Sequence, residues 1–474
     1  MLRRLTITLL ALTVAAATLP APAHAQADSA AAGAPAAIAP ASMADPLAGI
    51  VAEALHANLG LGQERMAERR AAADVRAARA LLLPDISIEA RRSHFENVVN
   101  IGDLVNPAYA ALNQLTGTNA FPTNIDLTFP YRYESHLRLV QPLINEPLRA
   151  NLAVASARHD GQRMALATAA RQVAAEAQTA YLQQASARRV VGIYEATLTI
   201  VRENERVSER LLAAGTATPE AVQRARAERA EVEQELAEAR ERSQAATRAF
   251  NLVLQRPLDA PVEDIPDSLF DVPLGVTVDD AVRRGLAGRE ELRQVDAGVR
   301  TAEAAKRAAT TGLLPSVAGV LDYGYQGNDV TFQDADHIWT ASLALTWSVF
   351  NGGGDLARRS AAGYEAARAK LARKDLEDKV ALEIRTAYQA AVVAHDAIAT
   401  ADVRLEAASR TFTLTRRRYE EGAASPYELV DARASLTNAQ LNRVLTAYRY
   451  ALRRVDLERA AALRDIELGK GASR

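Results

Sequence analysis

The feature that most constrains this chain is that it repeats itself. Arg210-Leu-Leu-Ala-Ala-Gly215-Thr-Ala-Thr-Pro219 precedes Ala225-Arg226-Ala227. At an offset of 207 residues, Arg417-Arg-Tyr-Glu-Glu-Gly422-Ala-Ala-Ser-Pro426 precedes Ala432-Arg433-Ala434. Leu137-Arg-Leu-Val-Gln-Pro-Leu-Ile-Asn145 pairs with Leu343-Ala-Leu-Thr-Trp-Ser-Val-Phe-Asn351 at 206, and Leu83-Pro84 with Leu314-Pro315 at 231. Three matches in one order mean a duplicated unit. The change of offset, 231 − 206 = 25, places an insertion of that length between Pro84 and Asn145 of the first copy.

Each copy reads alike. An alanine-rich helical stretch (47–82, then 278–312) ends at Leu-Pro, and two short alternating segments follow. Their period of two predicts strands over about 85–95 and 131–144, then 316–326 and 338–350. Tyr131, Tyr133, Tyr323, Tyr325, Trp339 and Trp347 lie along them, the aromatic pattern of membrane β-strands. A very long helix comes next, 148–214 and again 355–421, each on the order of 100 Å. After a glycine a shorter helix returns, over about 219–255 and 427–464. Arg226, Glu228, Arg229, Glu231, Glu233 and Glu235 give it a solvated, charge-paired face. The copies span 47–255 and 277–465, joined by a linker, 256–276, holding Pro257, Pro261, Pro266 and Pro273, with a tail at 466–474.

The first 25 residues read as a secretory signal. Arg3 and Arg4 begin it, Leu5 to Leu19 is apolar, and Ala23-His24-Ala25 offers a cleavage site after Ala25. Residues 26–46, rich in Ala and Pro, form a disordered lead-in. No later segment has the apolar length of a transmembrane helix, so a membrane span must be built of strands. Four strands per chain cannot close a barrel, and an open edge cannot sit in lipid. Three copies supply twelve strands, an even number in the range of outer-membrane barrels. The expected fold is therefore mainly α with a membrane β-barrel: a trimer forming a twelve-stranded barrel continued by a long helical periplasmic tunnel.

The residues that carry a family resemblance are Leu345-Thr-Trp-Ser-Val-Phe-Asn-Gly-Gly353 and Arg418-Tyr-Glu-Glu-Gly422-Ala-Ala-Ser-Pro-Tyr-Glu428-Leu-Val-Asp431-Ala, followed by Arg433-Ala-Ser-Leu436. On these the chain resembles the TolC-like outer membrane efflux proteins over nearly all of its mature length. The resemblance implies a homotrimeric exit duct in the outer membrane of a Gram-negative bacterium, extending into the periplasm. It would serve efflux or type I secretion with a periplasmic adaptor and an inner-membrane transporter. It also implies that Glu428 and Asp431 ring the periplasmic aperture and that Tyr419 belongs to a network closing the tips. The hairpin tips Gly215, Thr216, Ala217, Thr218 and Gly422, Ala423, Ala424, Ser425 would meet the adaptor. For Glu428 a second reading stays open, an acid favoured at a helix start. The sequence departs from familiar members at Ala221 and Ala424, where they carry an acid and an arginine. Glu220 and Arg224 are the available substitutes in the tip network. The insertion 96–130, with its glycines and prolines, would be an extracellular lid or merely tolerated length.

Other chemistries find no support. A net charge of −2 lacks the basic excess of a nucleic-acid binder. The absence of cysteine excludes disulfides, thiolate metal sites and a lipid-anchored N-terminus. The seven histidines are scattered, and Asn351-Gly-Gly-Gly-Asp355 lacks the Lys-Ser/Thr of a phosphate loop, so no enzyme, metal or cofactor is expected. The competing readings are a periplasmic adaptor, which would lack the duplicated helix–strand unit, and a structural coiled coil without a channel.

Overall fold

The computed structural model describes residues 47–96, 99–126, 132–264, 273–327 and 336–466. The expected leader 1–25 with its cleavage at Ala25, the lead-in 26–46, Tyr131 and the tail beyond Ile466 lie outside the described residues. The first copy runs α1 (Ala48–Ala57), α2 (Leu59–Ala80), β1 (Asp85–Arg92), α3 (Ile101–Thr116), β2 (Tyr133–Ile144), α4 (Glu146–Ala213) and α5 (Pro219–Val253). The second continues with α6 (Val278–Gly288), α7 (Glu290–Thr311), β3 (Ser316–Gly327), β4 (His337–Thr346), α8 (Gly354–Glu420) and α9 (Pro426–Ala460).

The duplication extends to irregularities. The opening helical stretch of each copy is two helices rather than one, broken at Asn58 and at Arg289. Both residues are extended (ψ 122° and 126°), and 289 − 58 = 231 repeats the offset of the Leu-Pro pairs. Asn58 Oδ1 accepts the Leu61 N–H at 3.0 Å and restarts the helix. Arg289 is held by Glu291 and Glu383 instead.

The long helices form because alanine and unbranched residues fill them without an internal proline. Asn145 caps α4 by accepting the Leu148 N–H at 3.2 Å. Both long helices close with the same turn. Thr216 N–H reaches Leu211 O and Gly215 N–H reaches Leu212 O; Ala423 N–H reaches Arg418 O and Gly422 N–H reaches Tyr419 O. This double bond pattern needs a left-handed residue, supplied by Gly215 (φ 73°) and Gly422 (φ 74°). Each return helix then starts at a proline whose missing N–H costs nothing there.

Packing orders these helices side by side. Helix α4 lies between α2 and α7 towards the sheet and between α5 and α9 towards the hairpin tips; α8 follows α7 and α9. The neighbour order α2, α4, α7, α8 matches the strand order β1-β2-β3-β4 of the single antiparallel sheet. One edge of the protomer is thus β1 over α2 and α5, and the other is β4 over α8.

The sheet has two chemically distinct faces. In register across β1 to β4 stand Ile88, Leu137, Tyr323 and Trp339, with Ile86, Leu139, Leu321 and Ala341 beside them. This apolar, aromatic face is exposed in the protomer, as at Ile88 (79%) and Trp339 (65%). The opposite face is charged: Arg91 meets Glu134 at 2.7 Å, and His136 and Arg138 stand within 4 Å of both Glu89 and Asp322. Gly324 is required here, since a Cβ would lie 2.1 Å from Ser135 O. Apolar-out and polar-in alternation is that of a membrane barrel wall.

Three expectations need correction. Strand β1 ends at Arg92, opposite Tyr133, and β4 at Thr346, opposite Ser316, short of 95 and 350. Trp347 consequently lies past the strand it was expected to occupy; its indole N–H donates to Leu313 O at 3.2 Å. The insertion is not wholly a loop, for α3 occupies Ile101–Thr116. Asn100 caps it, Gly117 (φ 65°) ends it, and the Asn106 amide bonds both backbone groups of Ile125 at 2.8 Å.

Candidate functional site

The two helical hairpins end close together in sequence register, α4–α5 at 214–218 and α8–α9 at 421–425. Beneath the tips, Phe412, Tyr419, Leu429, Ala432 and Leu436 form an apolar cluster with Ile200, Val207 and Leu211 of α4. This ties the hairpins through α4. Tyr419 is buried, and its hydroxyl lies 3.1 Å from the buried Ser208 hydroxyl across that seam. Ser208 is a partner that sequence reading missed.

The two positions at which the resemblance leads one to expect an acid and an arginine make apolar contacts instead. Ala221 is buried and Ala424 packs against the tip cluster. Glu220 and Arg224 do not pair with each other among the described residues. Hydrogen bonds from its own backbone N–H and from Thr218 hold the exposed Glu220 carboxyl below its ordinary range. Arg224 instead stacks over the Tyr427 ring, 5.7 Å from its centroid, linking the two return helices by a cation–π contact.

Glu428 and Asp431 are both exposed on α9. Glu428 closes a capping box: Ser425 N–H donates to its carboxylate at 2.7 Å, and Ser425 Oγ accepts the Glu428 N–H at 3.2 Å. Those bonds hold its carboxyl below the ordinary range, so it stays ionised at neutral pH. The local reading of Glu428 as a helix-start acid therefore has its geometry in full. Asp431, one turn on, makes no hydrogen bond or ion pair among the described residues.

Behind this surface lies a charge pair that the sequence reading placed in solvent. Glu228 is 4% exposed, and its carboxylate meets Arg433 Nε at 2.7 Å. Burial raises the Glu228 carboxyl above its ordinary range, against the pull of Arg433. Arg433 belongs to the second Ala-Arg-Ala triplet; its counterpart Arg226 points elsewhere, to Glu205 and Glu209 of α4. The signal was present in spacing: Ala225, Glu228, Val232, Leu236 and Ala239 recur at three and four, so Glu228 sits in the buried seam. Next to it the Thr197 and Thr437 hydroxyls meet at 3.2 Å. Among the described residues no cluster of His, Asp or Glu is arranged to hold a metal ion, and no helix is long and apolar enough to cross a membrane.

The family model described as outer membrane efflux protein matches residues 50–254 and 281–463, one segment per copy. The chain belongs to the outer membrane efflux protein family. Solved structures agree on the fold. CusC matches with a TM-score of 0.74 at 18% identity, over 88% of this chain and 91% of that one. The Campylobacter jejuni CmeC outer membrane channel gives 0.71 at 17%, over 88% and 85%. The open-state MtrE outer membrane channel of Neisseria gonorrhoeae gives 0.69 at 17%, over 88% and 88%. No curated protein matches the sequence. As an outer membrane efflux protein, the chain places its four strands in the outer membrane and its helical hairpins in the periplasm. The family's work is transport through a duct.

Proposed function

We propose that three copies of this chain close into one exit duct, a twelve-stranded barrel over a tunnel of helices. The observation that supports this most is the four-stranded sheet, apolar and aromatic on one face and charged on the other, with both edges unpaired in the protomer. In a ring of three, edge β1 of one copy pairs with β4 of the next, which leaves no lipid-exposed backbone unsatisfied. Helix α8 fits the same reading, exposing Leu371, Leu382, Val403 and Leu414 in the protomer. Such side chains call for cover by a neighbouring copy.

In this duct the exposed faces of Glu428 and Asp431 line the periplasmic aperture, six carboxylates per trimer, favouring cations over anions. The tips Gly215–Thr218 and Gly422–Ser425 receive a periplasmic adaptor, which joins the duct to an inner-membrane transporter. Tyr419 with Ser208, and Arg224 with Tyr427, hold the tips in place of the acid–arginine lock.

The edge pairing is directly testable because the chain has no cysteine of its own. Pairs of cysteines scanned along β1 and β4 lie three strand spacings apart within one chain, roughly 14 Å, too far for an internal disulfide. Oxidation of the outer-membrane protein should give two- and three-chain species and nothing larger. Monomer alone at every pair contradicts the closed trimer.

A further inference from the structure

The exposed face of α9 changes sign along its length. Glu428, Ser435, Asn442 and Arg449 recur every seven residues, and Asp431, Asn438 and Leu445 run beside them; all are exposed in the protomer. Arg449 therefore shares a face with the two tip carboxylates, about 27 Å along the helix from Asp431. It forms no hydrogen bond or ion pair among the described residues.

Arg449 borders a groove of about 670 Å³ between α8 and α9. Ala390, Val393, Ala394 and Ala397 make its floor, and Arg385 and Arg453 join Arg449 around it. On the other side of Arg449 a second groove, about 510 Å³, is walled by Leu441, Leu445 and Leu452 and carries Arg242. No carboxylate lines either groove. Arg385 and Arg453 are each paired, with Asp279 at 3.4 Å and Asp456 at 3.2 Å. Arg242 pairs with Glu238 at 3.1 Å, so among the described residues Arg449 is the groove guanidinium with no carboxylate partner.

Guanidinium groups over an aliphatic floor complement one kind of occupant. The planar forks bind carboxylate, sulfonate or phosphate oxygens two at a time, and the alanine–valine floor accepts an apolar body. A neutral apolar molecule would leave Arg449 desolvated for nothing, and a cation would be repelled.

We propose that the groove at Arg449 is a transit site for amphipathic organic anions inside the tunnel, a cationic station above the acidic aperture. This rests on the reading that the α9 face bearing Glu428 and Asp431 lines the tunnel. Open to solvent in the protomer, the site holds cargo weakly, as conduction through a duct requires.

The test uses the full chain in lipid nanodiscs, titrated with anilinonaphthalene sulfonate and with uncharged phenylnaphthylamine. Replacing Arg449→Gln and Arg453→Gln together should weaken the anionic probe about tenfold, the loss of a charge-assisted contact. The neutral probe, which has only the aliphatic floor to contact, should bind more weakly than the anionic one in the wild type and be little changed in the variant. In planar bilayers the same anion should reduce wild-type current and leave the variant's current unaffected. Anion binding unchanged in the variant overturns the proposal, and so does equal loss of both probes, which would mean a collapsed groove. Binding without any current block removes the site from the tunnel. The underlying reading has its own measurement, the reversal potential of Asp431→Asn. A shift there without Arg449-dependent binding defeats the anion site alone, whereas Arg449-dependent binding without that shift defeats the placement of the α9 face in the tunnel.

Discussion

Tyr419 and Ser208 join the two hairpins through one pair of hydroxyls 3.1 Å apart in a buried seam. Ser208→Ala strands the Tyr419 hydroxyl without its partner, a loss of about 1–3 kcal/mol, whereas adding Tyr419→Phe should recover most of it. Thermal unfolding of the two variants checks this; equal destabilisation would show that the bond carries little. The Glu228–Arg433 pair behaves differently because both partners are buried. Glu228→Gln leaves a buried guanidinium uncompensated and should cost about 3–5 kcal/mol, while Glu228→Leu with Arg433→Leu should come close to neutral. A denaturant double-mutant cycle reads the coupling directly. Of these residues only Tyr419 was legible beforehand, and only through the family resemblance of the stretch that precedes the hairpin glycine. Ser208 is invisible because an exposed-looking serine in a helix carries no pattern of its own. Glu228 was misread because alternating charges drew attention away from the three-and-four spacing that buries it.

At the scale of elements, the duplicated hairpins were legible and the inserted helix was not. Gly215, Gly422 and the prolines that follow fix both turns by backbone chemistry, so sequence alone located them. Gly422→Ala forces a side chain into φ 74° and should cost about 1–2 kcal/mol, seen as faster hydrogen exchange confined to the α8–α9 tip. Uniform loss of protection along α8 would show that the turn does not act locally. Helix α3 escaped because Pro107 and the flanking glycines read as loop, while the bonds that hold it, Asn106 to Ile125 and Asn113 to Phe121, span long separations. The starts of the return helices carry a pH dependence. Glu220 and Glu428 both have carboxyls held below the ordinary range by hydrogen bonds at the helix start. Groups shifted downwards stabilise the folded tip above the unfolded carboxylate pKa, and that contribution disappears as pH falls through their own lowered values. Exchange at 219–222 and 426–429 should accelerate on acidification before the middle of α4 responds. Simultaneous loss along α4 would assign the effect to the whole bundle.

The whole molecule was legible to the extent that geometry forces it. Four strands, two long helices and, beyond the leader, no segment with the apolar length of a membrane helix left a membrane barrel completed by other copies as the consistent architecture. The sheet's two faces and the family match carry that reading. The measurement that bears most directly on the central claim is planar-bilayer recording of the purified trimer in a salt gradient. Discrete conductance steps with cation preference are predicted, and Glu428→Gln with Asp431→Asn should move the reversal potential towards zero while leaving a pore. No conductance from intact trimers would contradict the duct itself, and an unchanged reversal potential would show that those carboxylates lie away from its aperture.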